Sequence, residues 1–496
     1  MSLLPLQRSV RPRTALRDFT TFSAMSLAVS IVACSPDNSS GPTGIFVPVC
    51  HMEGAVGTVT NLQVSELPVH KSHGDYVTLL NVDPLNAAGD SIHFRRVTDA
   101  LSVTRAGRLA RGETQTAACR ITIAVAPVVL KGSIAASSDP LFEQFPLVID
   151  VPDITLKGAL KMQVDAMGRA TGIGDGGTVT TFSPSPALIV PGGSSSAGAS
   201  EEIIIVNGQT NGPKGNGAVI EGFTFQSGRG ADVTPTGGQG ILSLRVKDLV
   251  VRGNRFDGGF TESIDLRAAS AVVERNYLSG LGAACDICVA GPGDFIVRDN
   301  RILGKGGIPG IAVTPILILP VPAFIEQISL PAASVVTAAL TNNEVKDHSA
   351  KPVGVGIRVD AVGNGGPNVA GMSKVTLTGN NLVGNTFGIM VHGAFPVAGT
   401  TLRGDVELTT SSNTFSKNCQ TDFYVTFNRH QNGWGGTSPY PAILLNSTYR
   451  LSLGADISWD AGWYSNPAGN GNKLIVNGQD ISNGARTPFD AARVCP

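Results

Sequence analysis

The chain has 496 residues, enough for two or three domains or for one long repetitive domain. Its 37 Lys and Arg nearly balance 38 Asp and Glu, which argues against a dedicated nucleic-acid binder. Charged residues make up only 15% of the chain and 60 residues are glycine, a composition that favours short strands and tight turns and argues against disorder.

The first 34 residues are typical of an export signal. A basic leader with arginines at positions 8, 11, 13 and 17 precedes an apolar stretch that ends Ile-Val-Ala-Cys at Cys34. This pattern resembles a bacterial lipoprotein signal, and the resemblance implies cleavage before Cys34 and a lipid anchor on it. By the same resemblance Ser35 favours the outer membrane, on its periplasmic or its surface-facing side. The alternative is an ordinary secretory peptide in which the cysteine occurs by chance.

Two short motifs mark a small region that follows the flexible tether at 35–45. They read VCHMEG at 49–54 and LPVHKSHGDY at 67–76, and together they resemble a Cys-His…His-x-x-His-Gly-Asp motif of exported bacterial proteins. Their side chains are of metal-ligand types, so a structural metal ion is the one cofactor that the sequence suggests. A disulfide-bonded cysteine could not ligate as a thiolate, and the alternative is a disulfide-stapled fold with hydrogen-bonded histidines. The metal-ligand candidates are Cys50, His51, His70, His73 and Asp75.

An asparagine motif recurs through the middle of the chain. VRGNRFDG at 251–258 is followed by similar text at 273–280, 297–304, 340–347 and 377–384. The first two spacings between its asparagines are 22 and 24 residues, which indicates a unit in the low twenties with later insertions. The repeated asparagines are Asn254, Asn276, Asn300, Asn343, Asn380 and Asn413.

A second motif lies between these asparagines and predicts strands. GIRVDA at 356–361 and GIMVHG at 388–393 place apolar residues two apart, the period of a strand with one face turned inward. Strands that stack on themselves at this period resemble the right-handed parallel β-helix of the pectate-lyase-like superfamily, an all-β fold. The stacked asparagines would form a hydrogen-bonded ladder at corners that need positive φ. The alternative is a propeller or sandwich, whose blades usually carry an aromatic signature.

The organisation that follows has five segments. They are a signal at 1–34, a tether at 35–45, a small N-terminal region at 46–115, a β-helix at 116–428 and a C-terminal cap at 429–496. The cap holds all three tryptophans, Trp434, Trp459 and Trp463. These rings could stack on sugars, but covering the open end of the solenoid is the favoured role.

Six cysteines remain beside Cys34, and six allow 15 connectivities. Proximity in sequence suggests Cys50–Cys119, Cys285–Cys288 and Cys419–Cys495. The Cys-x-x-Cys at 285–288 lies on a predicted strand, and redox pairs normally begin a helix, so a structural role is favoured.

Three side chains form the candidate catalytic set. In the Gly-Ile-x-Val-x motif the x positions are expected to face solvent, which would gather Arg358, Asp360 and His392 on one outer face. Arginine could neutralise a uronate carboxylate while histidine takes a proton. The chain shows no complete catalytic signature of lyases, polygalacturonases or alginate epimerases, so the alternative is a solvated face with an ion pair.

These observations predict an exported envelope lipoprotein whose β-helix binds polysaccharide, anchored in the membrane by lipid. One alternative is a polysaccharide lyase or glycoside hydrolase that uses the outer face. Another is a non-catalytic adhesive or structural surface protein whose partner is an envelope protein. A monomer is expected, with no nucleic-acid partner.

Overall fold

The computed structural model divides the chain into two compact units, residues 1–44 and 45–496. The first unit, with the predicted signal and Cys34, lies outside the described residues. The described residues are 46–54, 56–86, 92–133, 142–174, 181–184, 203–208, 212–226, 238–258, 260–280, 285–304, 309–315, 333–349, 354–362, 370–394, 403–427, 444–457, 463–465 and 471–482.

Three long sheets, here named I, II and III, dominate the described residues. Sheet I comprises Leu79–Val82, His93–Phe94, Ile121–Val125, Ile154–Lys157, Val219–Glu221, Leu249–Arg252, Ala271–Glu274, Gly293–Arg298, Ala333–Thr341, Ala370–Thr378, Gly404–Ser411, Thr448–Ser452, Lys473–Val476 and Gln479–Asp480. Sheet II comprises Val129–Ser133, Phe142–Gln144, Thr181–Pro184, Thr224–Gln226, Arg255–Asp257, Tyr277–Gly280, Arg301–Gly304, Glu344–Lys346, Asn381–Val383 and Thr414–Ser416. Sheet III comprises Leu147–Ile149, Ile204–Asn207, Gln239–Leu244, Glu262–Arg267, Cys285–Ala290, Pro309–Thr314, Val355–Val362, Phe387–Ala394, Thr421–Thr426 and Trp463–Ser465.

The chain visits these sheets in a repeating order. From Leu249 it runs through sheets I, II and III in turn and re-enters sheet I at Ala271. Successive strands of one sheet pair in parallel, as where Val251 lies beside Val273 and Val273 beside Val297. The all-β parallel β-helix predicted from the repeats is therefore confirmed.

Rows of apolar side chains fill the interior. The row that contains Val251, Val273 and Val297 continues to Leu340 and Leu377, and all five are fully buried. Each such side chain stabilises the fold by about 1.5–3 kcal/mol relative to exposure. The core thus depends on the strand period that the sequence shows.

The repeated glycine of the Gly-Ile-x-Val-x motif is explained by close packing between coils. A Cβ on Gly356 would lie 2.7 Å from the carbonyl oxygen of Gly388, and one on Gly388 would lie 2.6 Å from that of Asp422. Any larger residue at these two positions would push neighbouring coils apart.

An asparagine ladder runs along the corner between sheets I and II. The Asn276 amide nitrogen donates to Asn300 Oδ1 at 3.1 Å, and Asn300 donates to Asn343 Oδ1 at 3.0 Å. The same contact links every consecutive pair from Asn254 to Asn413, and each of these residues is buried. The ladder therefore satisfies polar groups that the corner takes away from water.

The expected backbone role of these asparagines was wrong. Positive φ falls on the residue before each of them, as at Arg275 with φ 53° and Asp299 with φ 58°. The asparagine itself is needed for its amide, which donates and accepts at once. A shorter second ladder at the corner between sheets II and III was missed, although its members each follow a first-ladder asparagine by five residues. They are His348, Asn385 and Asn418.

Several elements depart from the repeat. Strands Phe46–Glu53, Val56–Gln63 and Tyr76–Val77 form a small antiparallel sheet, and strands Met162–Val164 and Ala170–Gly174 form a hairpin. A 3-10 turn at Val64–Glu66, a short helix at Leu67–Ser72 and a helix at Val97–Ala110 were not predicted. No helix among the described residues is long and apolar enough to cross a membrane.

Sheet I extends beyond the range proposed for the β-helix. Its strand Leu79–Val82 pairs with Ile121–Val125, and its strand Lys473–Val476 pairs with Thr448–Ser452. Parallel pairing thus reaches into both the small N-terminal region and the proposed cap.

The disulfides join Cys50 to Cys119 and Cys285 to Cys288. Cys419 is also disulfide-bonded, to a partner outside the described residues. Its pairing with Cys495 remains a prediction because Cys495 lies there as well.

Candidate functional site

The predicted catalytic set does come together. Asp360 and His392 are register partners on adjacent strands of sheet III, and His392 Nδ1 lies 3.3 Å from Asp360 Oδ1. Arg358 Nε lies 3.1 Å from the same carboxylate. The side chains of Arg358, Asp360 and His392 are only 9%, 0% and 6% exposed.

The expected solvent exposure of this set was therefore wrong. Burial extends along the face, because strands Gln239–Leu244, Glu262–Arg267, Cys285–Ala290 and Pro309–Thr314 are buried at every residue. A second enclosed polar group lies there: Gln239 donates to Asp265 at 2.8 Å, and Arg267 pairs with the same carboxylate. Buried charges are tolerated when an opposite charge neutralises them, and each carboxylate here has an arginine beside it.

An open groove lies instead at the corner between sheets I and II, beside the hairpin of Met162–Val164 and Ala170–Gly174. The hairpin is fixed across the corner between sheets I and II. Arg301 donates to Asp165 at 2.8 Å, and the amide of Asn342 donates to the carbonyl of Met167 at 2.6 Å. The hairpin thus forms a wall next to the ends of successive sheet I strands.

This groove, here named the hairpin groove, has a volume of about 250 Å³. Three glycines contribute only backbone to its lining, and Leu160 and Met162 contribute apolar side chains. Its lining residues are Lys157, Gly158, Leu160, Met162, Glu221, Gly222, Arg252, Gly253 and Arg275.

The hairpin groove is cationic. Three cations, Lys157, Arg252 and Arg275, line it against one carboxylate, Glu221, which gives a net charge of +2 (3 − 1) on a chain whose net charge is −1. Glu221 lies 2.6 Å from Arg252 Nε and 3.6 Å from Lys157 Nζ. The exposed Arg275 forms no ion pair with any residue that the structure describes.

Strand register explains how these charges meet. Lys157, Glu221, Arg252 and Glu274 occupy equivalent last positions of successive sheet I strands. The row continues to Arg298, which lies 2.6 Å from Glu274 Oε2. Neighbouring coils are about 4.8 Å apart, so the row presents alternating charges at that spacing. Sequence reasoning missed it, although each of these charged residues directly follows an aliphatic residue.

The N-terminal motifs bring part of their predicted ligand set together. His51 Nδ1 and His70 Nδ1 each lie 2.8 Å from Asp75 Oδ2, and the Met52 amide donates to Asp75 Oδ1 at 2.8 Å. Burial raises the pKa of Asp75, but the hydrogen bonds from His51, Met52 and His70 outweigh it and lower that pKa to about 2.

Two of the five candidates fall outside this cluster. Cys50 is bonded to Cys119 and so cannot ligate as a thiolate, which corrects its place among the candidate ligands. His73 is exposed at the end of helix Leu67–Ser72 and is not part of the cluster formed by His51, His70 and Asp75.

The structure describes little of the tryptophans that were proposed to stack on sugars. Trp434 and Trp459 lie outside the described residues, and of Trp463 only the backbone is described, in a strand paired with that of Tyr424. Their role stays a prediction.

No known protein family and no curated protein matches the chain. Solved structures give distant likenesses. The A-module of a mannuronan C-5 epimerase from Azotobacter vinelandii aligns at 12% identity over 80% of this chain and 92% of that one, with a TM-score of 0.38. An exopolygalacturonase from Thermotoga maritima aligns at 10% identity over 81% and 93%, with a TM-score of 0.37. A tailspike protein of an E. coli bacteriophage, solved with a pentasaccharide, aligns at 12% identity over 87% and 82%, with a TM-score of 0.33.

Proposed function

We propose that this protein binds an acidic polysaccharide in the hairpin groove. The observation that carries the proposal is the net positive charge of an open groove on a nearly neutral chain. Arginine suits this ligand because its planar guanidinium can donate two parallel hydrogen bonds to one carboxylate. Arg275 supplies such a donor with no described carboxylate engaged.

Shape and composition support a glycan further. Leu160 and Met162 offer apolar side chains to the carbon face of a sugar, and the charged lining residues Lys157, Arg252 and Arg275 offer polar contacts. Pockets that bind small ligands usually combine an apolar lining with a few polar groups that fix orientation. The groove is open, so a polymer could pass through it and extend along the coils.

Binding is favoured over cleavage at this place. Glycosidases generally use two carboxyl groups on either side of the scissile bond. The described lining has the single carboxylate of Glu221, which already pairs with Lys157 and Arg252. The set of Arg358, Asp360 and His392 remains the alternative catalytic site, but its burial does not favour contact with a polymer.

Export and anchoring complete the proposal. The arginine-rich leader and the Ile-Val-Ala-Cys stretch support lipidation of Cys34 after cleavage, and residues 35–45 would act as a flexible tether. The groove would then meet glycans of the cell envelope, as an outer membrane lipoprotein. Treating cells with a labelled palmitate precursor and comparing the protein with its Cys34→Ala variant tests this part.

Native affinity electrophoresis tests the binding. The protein is run through gels cast with acidic or neutral polysaccharides, beside Arg275→Ala and the control Arg403→Ala. Arg403 is an exposed arginine directly before the sheet I strand Gly404–Ser411. Retardation in an acidic gel that Arg275→Ala loses and Arg403→Ala keeps supports the proposal. Uniform migration in every gel contradicts it and favours a protein partner, while clearing along the track would show cleavage.

A further inference from the structure

We infer that His51, His70 and Asp75 form a binding site for one divalent transition-metal ion, with zinc the best fit. One ligand atom from each of the three residues lies within 4.8 Å of the other two. Nitrogen from two imidazoles and oxygen from one carboxylate is a donor set that zinc accepts, with open positions left for water. The site is separate from the hairpin groove.

The local fold brings the three ligands together from three elements. His51 lies in strand Phe46–Glu53, His70 in helix Leu67–Ser72, and Asp75 in the turn that leads to strand Tyr76–Val77. That last strand pairs with the first, so that Cys50 lies opposite Tyr76. The Cys50–Cys119 disulfide ties the residue next to His51 to the body of the fold. The ligands are therefore held in place before any ion arrives.

The hydrogen-bond geometry directs both rings at one point. His51 Nδ1 and His70 Nδ1 each lie 2.8 Å from the same Asp75 oxygen, and the ring centroids are 5.9 Å apart. With neutral rings, each Nδ1–H donates to that oxygen. Binding of the ion would require each ring proton to move from Nδ1 to Nε2, so that both Nδ1 lone pairs and Asp75 Oδ2 face the metal.

Distances and access fit the ion. Zinc lies about 2.0–2.2 Å from nitrogen and oxygen ligands, which places tetrahedral ligand atoms roughly 3.3–3.5 Å apart. The present 2.8 Å separations need to open by roughly half an ångström. The imidazoles can make this adjustment because their side chains are 39% and 26% exposed, while the Asp75 carboxylate is fully buried. The exposed sides of the rings also leave a path for the ion and for water.

A second carboxylate supports the set from outside. Glu53 Oε1 lies 4.0 Å from His51 Nε2, the ring nitrogen that faces away from Asp75. Histidine ligands commonly donate their other N–H to a carboxylate, which fixes the tautomer and the ring orientation. A small approach by the exposed Glu53 side chain would complete that contact when Nδ1 binds metal.

Isothermal titration with zinc chloride tests the inference on the full-length, tag-free protein after chelator treatment and buffer exchange. We expect one equivalent to bind, and cobalt chloride to give the visible absorption of a tetrahedral or five-coordinate N/O site. His70→Gln and Asp75→Asn should each weaken zinc binding at least tenfold. His73→Gln, a histidine three residues from His70 and outside the cluster, is the matched control and should bind as the parent does.

Circular dichroism of each variant separates loss of the site from loss of folding. His51→Gln provides a further variant in which Asp75 keeps its contact with His70. No stoichiometric binding by the folded parent would overturn the inference, and so would equal weakening by His73→Gln and His70→Gln. Because the readout is metal binding, failure of the polysaccharide proposal leaves this result unaffected.

Discussion

Replacing one ladder asparagine should destabilise the solenoid far more than replacing its sequence neighbour. Asn380 is fully buried, and its amide donates to the Leu340 carbonyl and to Asn413 Oδ1, both at 2.9 Å. Its own Oδ1 accepts the backbone N–H of Asn343 at 3.0 Å. Asn381, the next residue, is partly exposed and accepts a hydrogen bond from Thr414 at the surface.

The expected cost follows from these contacts. Asn380→Ala leaves the backbone N–H and the side-chain amide of Asn343 without their shared acceptor, at about 1–3 kcal/mol. The two hydrogen bonds that the amide donates contribute about 0.5–1.5 kcal/mol each, so the free energy of unfolding should fall by about 2–6 kcal/mol in total. Asn381→Ala should cost under about 1 kcal/mol, since water replaces the exposed bond.

Urea unfolding followed by circular dichroism measures both variants against the parent. Solenoids can lose their coils in segments, so amide hydrogen exchange should accompany it. The Asn343 amide should exchange faster in Asn380→Ala and be unchanged in Asn381→Ala. Equal losses of stability in the two variants, or a loss below about 1 kcal/mol in Asn380→Ala, would refute the role given to the ladder.

Three further predictions concern other parts of the molecule. Arg275→Ala should weaken binding to an acidic polysaccharide about tenfold in affinity gels, a loss of about 1.4 kcal/mol, and Arg403→Ala should leave binding unchanged. Equal effects of the two substitutions would contradict binding in the hairpin groove. Burial raises the pKa of Asp286 well above 3.8, and its Oδ2 lies 3.6 Å from His348 Nε2. Above about pH 4 the unfolded state loses the proton on Asp286 while the folded state keeps it, so the free energy of unfolding should fall as pH rises. Urea titrations at several pH values should show this fall in the parent and not in Asp286→Asn. Parallel pH profiles of the two proteins would contradict the prediction. The Glu143 carboxylate accepts hydrogen bonds from the backbone N–H groups of Val97 and Thr98, the first two residues of helix Val97–Ala110. Glu143→Ala should therefore lower the free energy of unfolding, measured by urea titration, by about 1–2 kcal/mol. An unchanged free energy would exclude this capping role.

The repeat and the strands could be read from the sequence because both are local patterns copied along the chain. Alternating apolar residues and one asparagine per coil return in register, so each copy supports the same interpretation. The ladder from Asn254 to Asn413 occupies the positions that this pattern marks, and so does the buried apolar row from Val251 to Leu377. Even here, the positive φ on the preceding residue, as at Arg275, depends on the path of the corner, which residue types alone do not show.

The candidate sites depended on contacts between distant parts of the chain. Alternation assigned Arg358, Asp360 and His392 to an outer face, but whether that face meets water depends on what packs over it. The wall of the hairpin groove exists because Asp165 and Arg301 meet across 136 residues. The sequence by itself determined the repeat, the strand faces and the types of ligand near the N-terminus. Only the tertiary structure decided which charges are enclosed and which line the hairpin groove. It also decided that His51, His70 and Asp75 converge. Burial and convergence both depend on packing between distant segments, which residue types alone do not show.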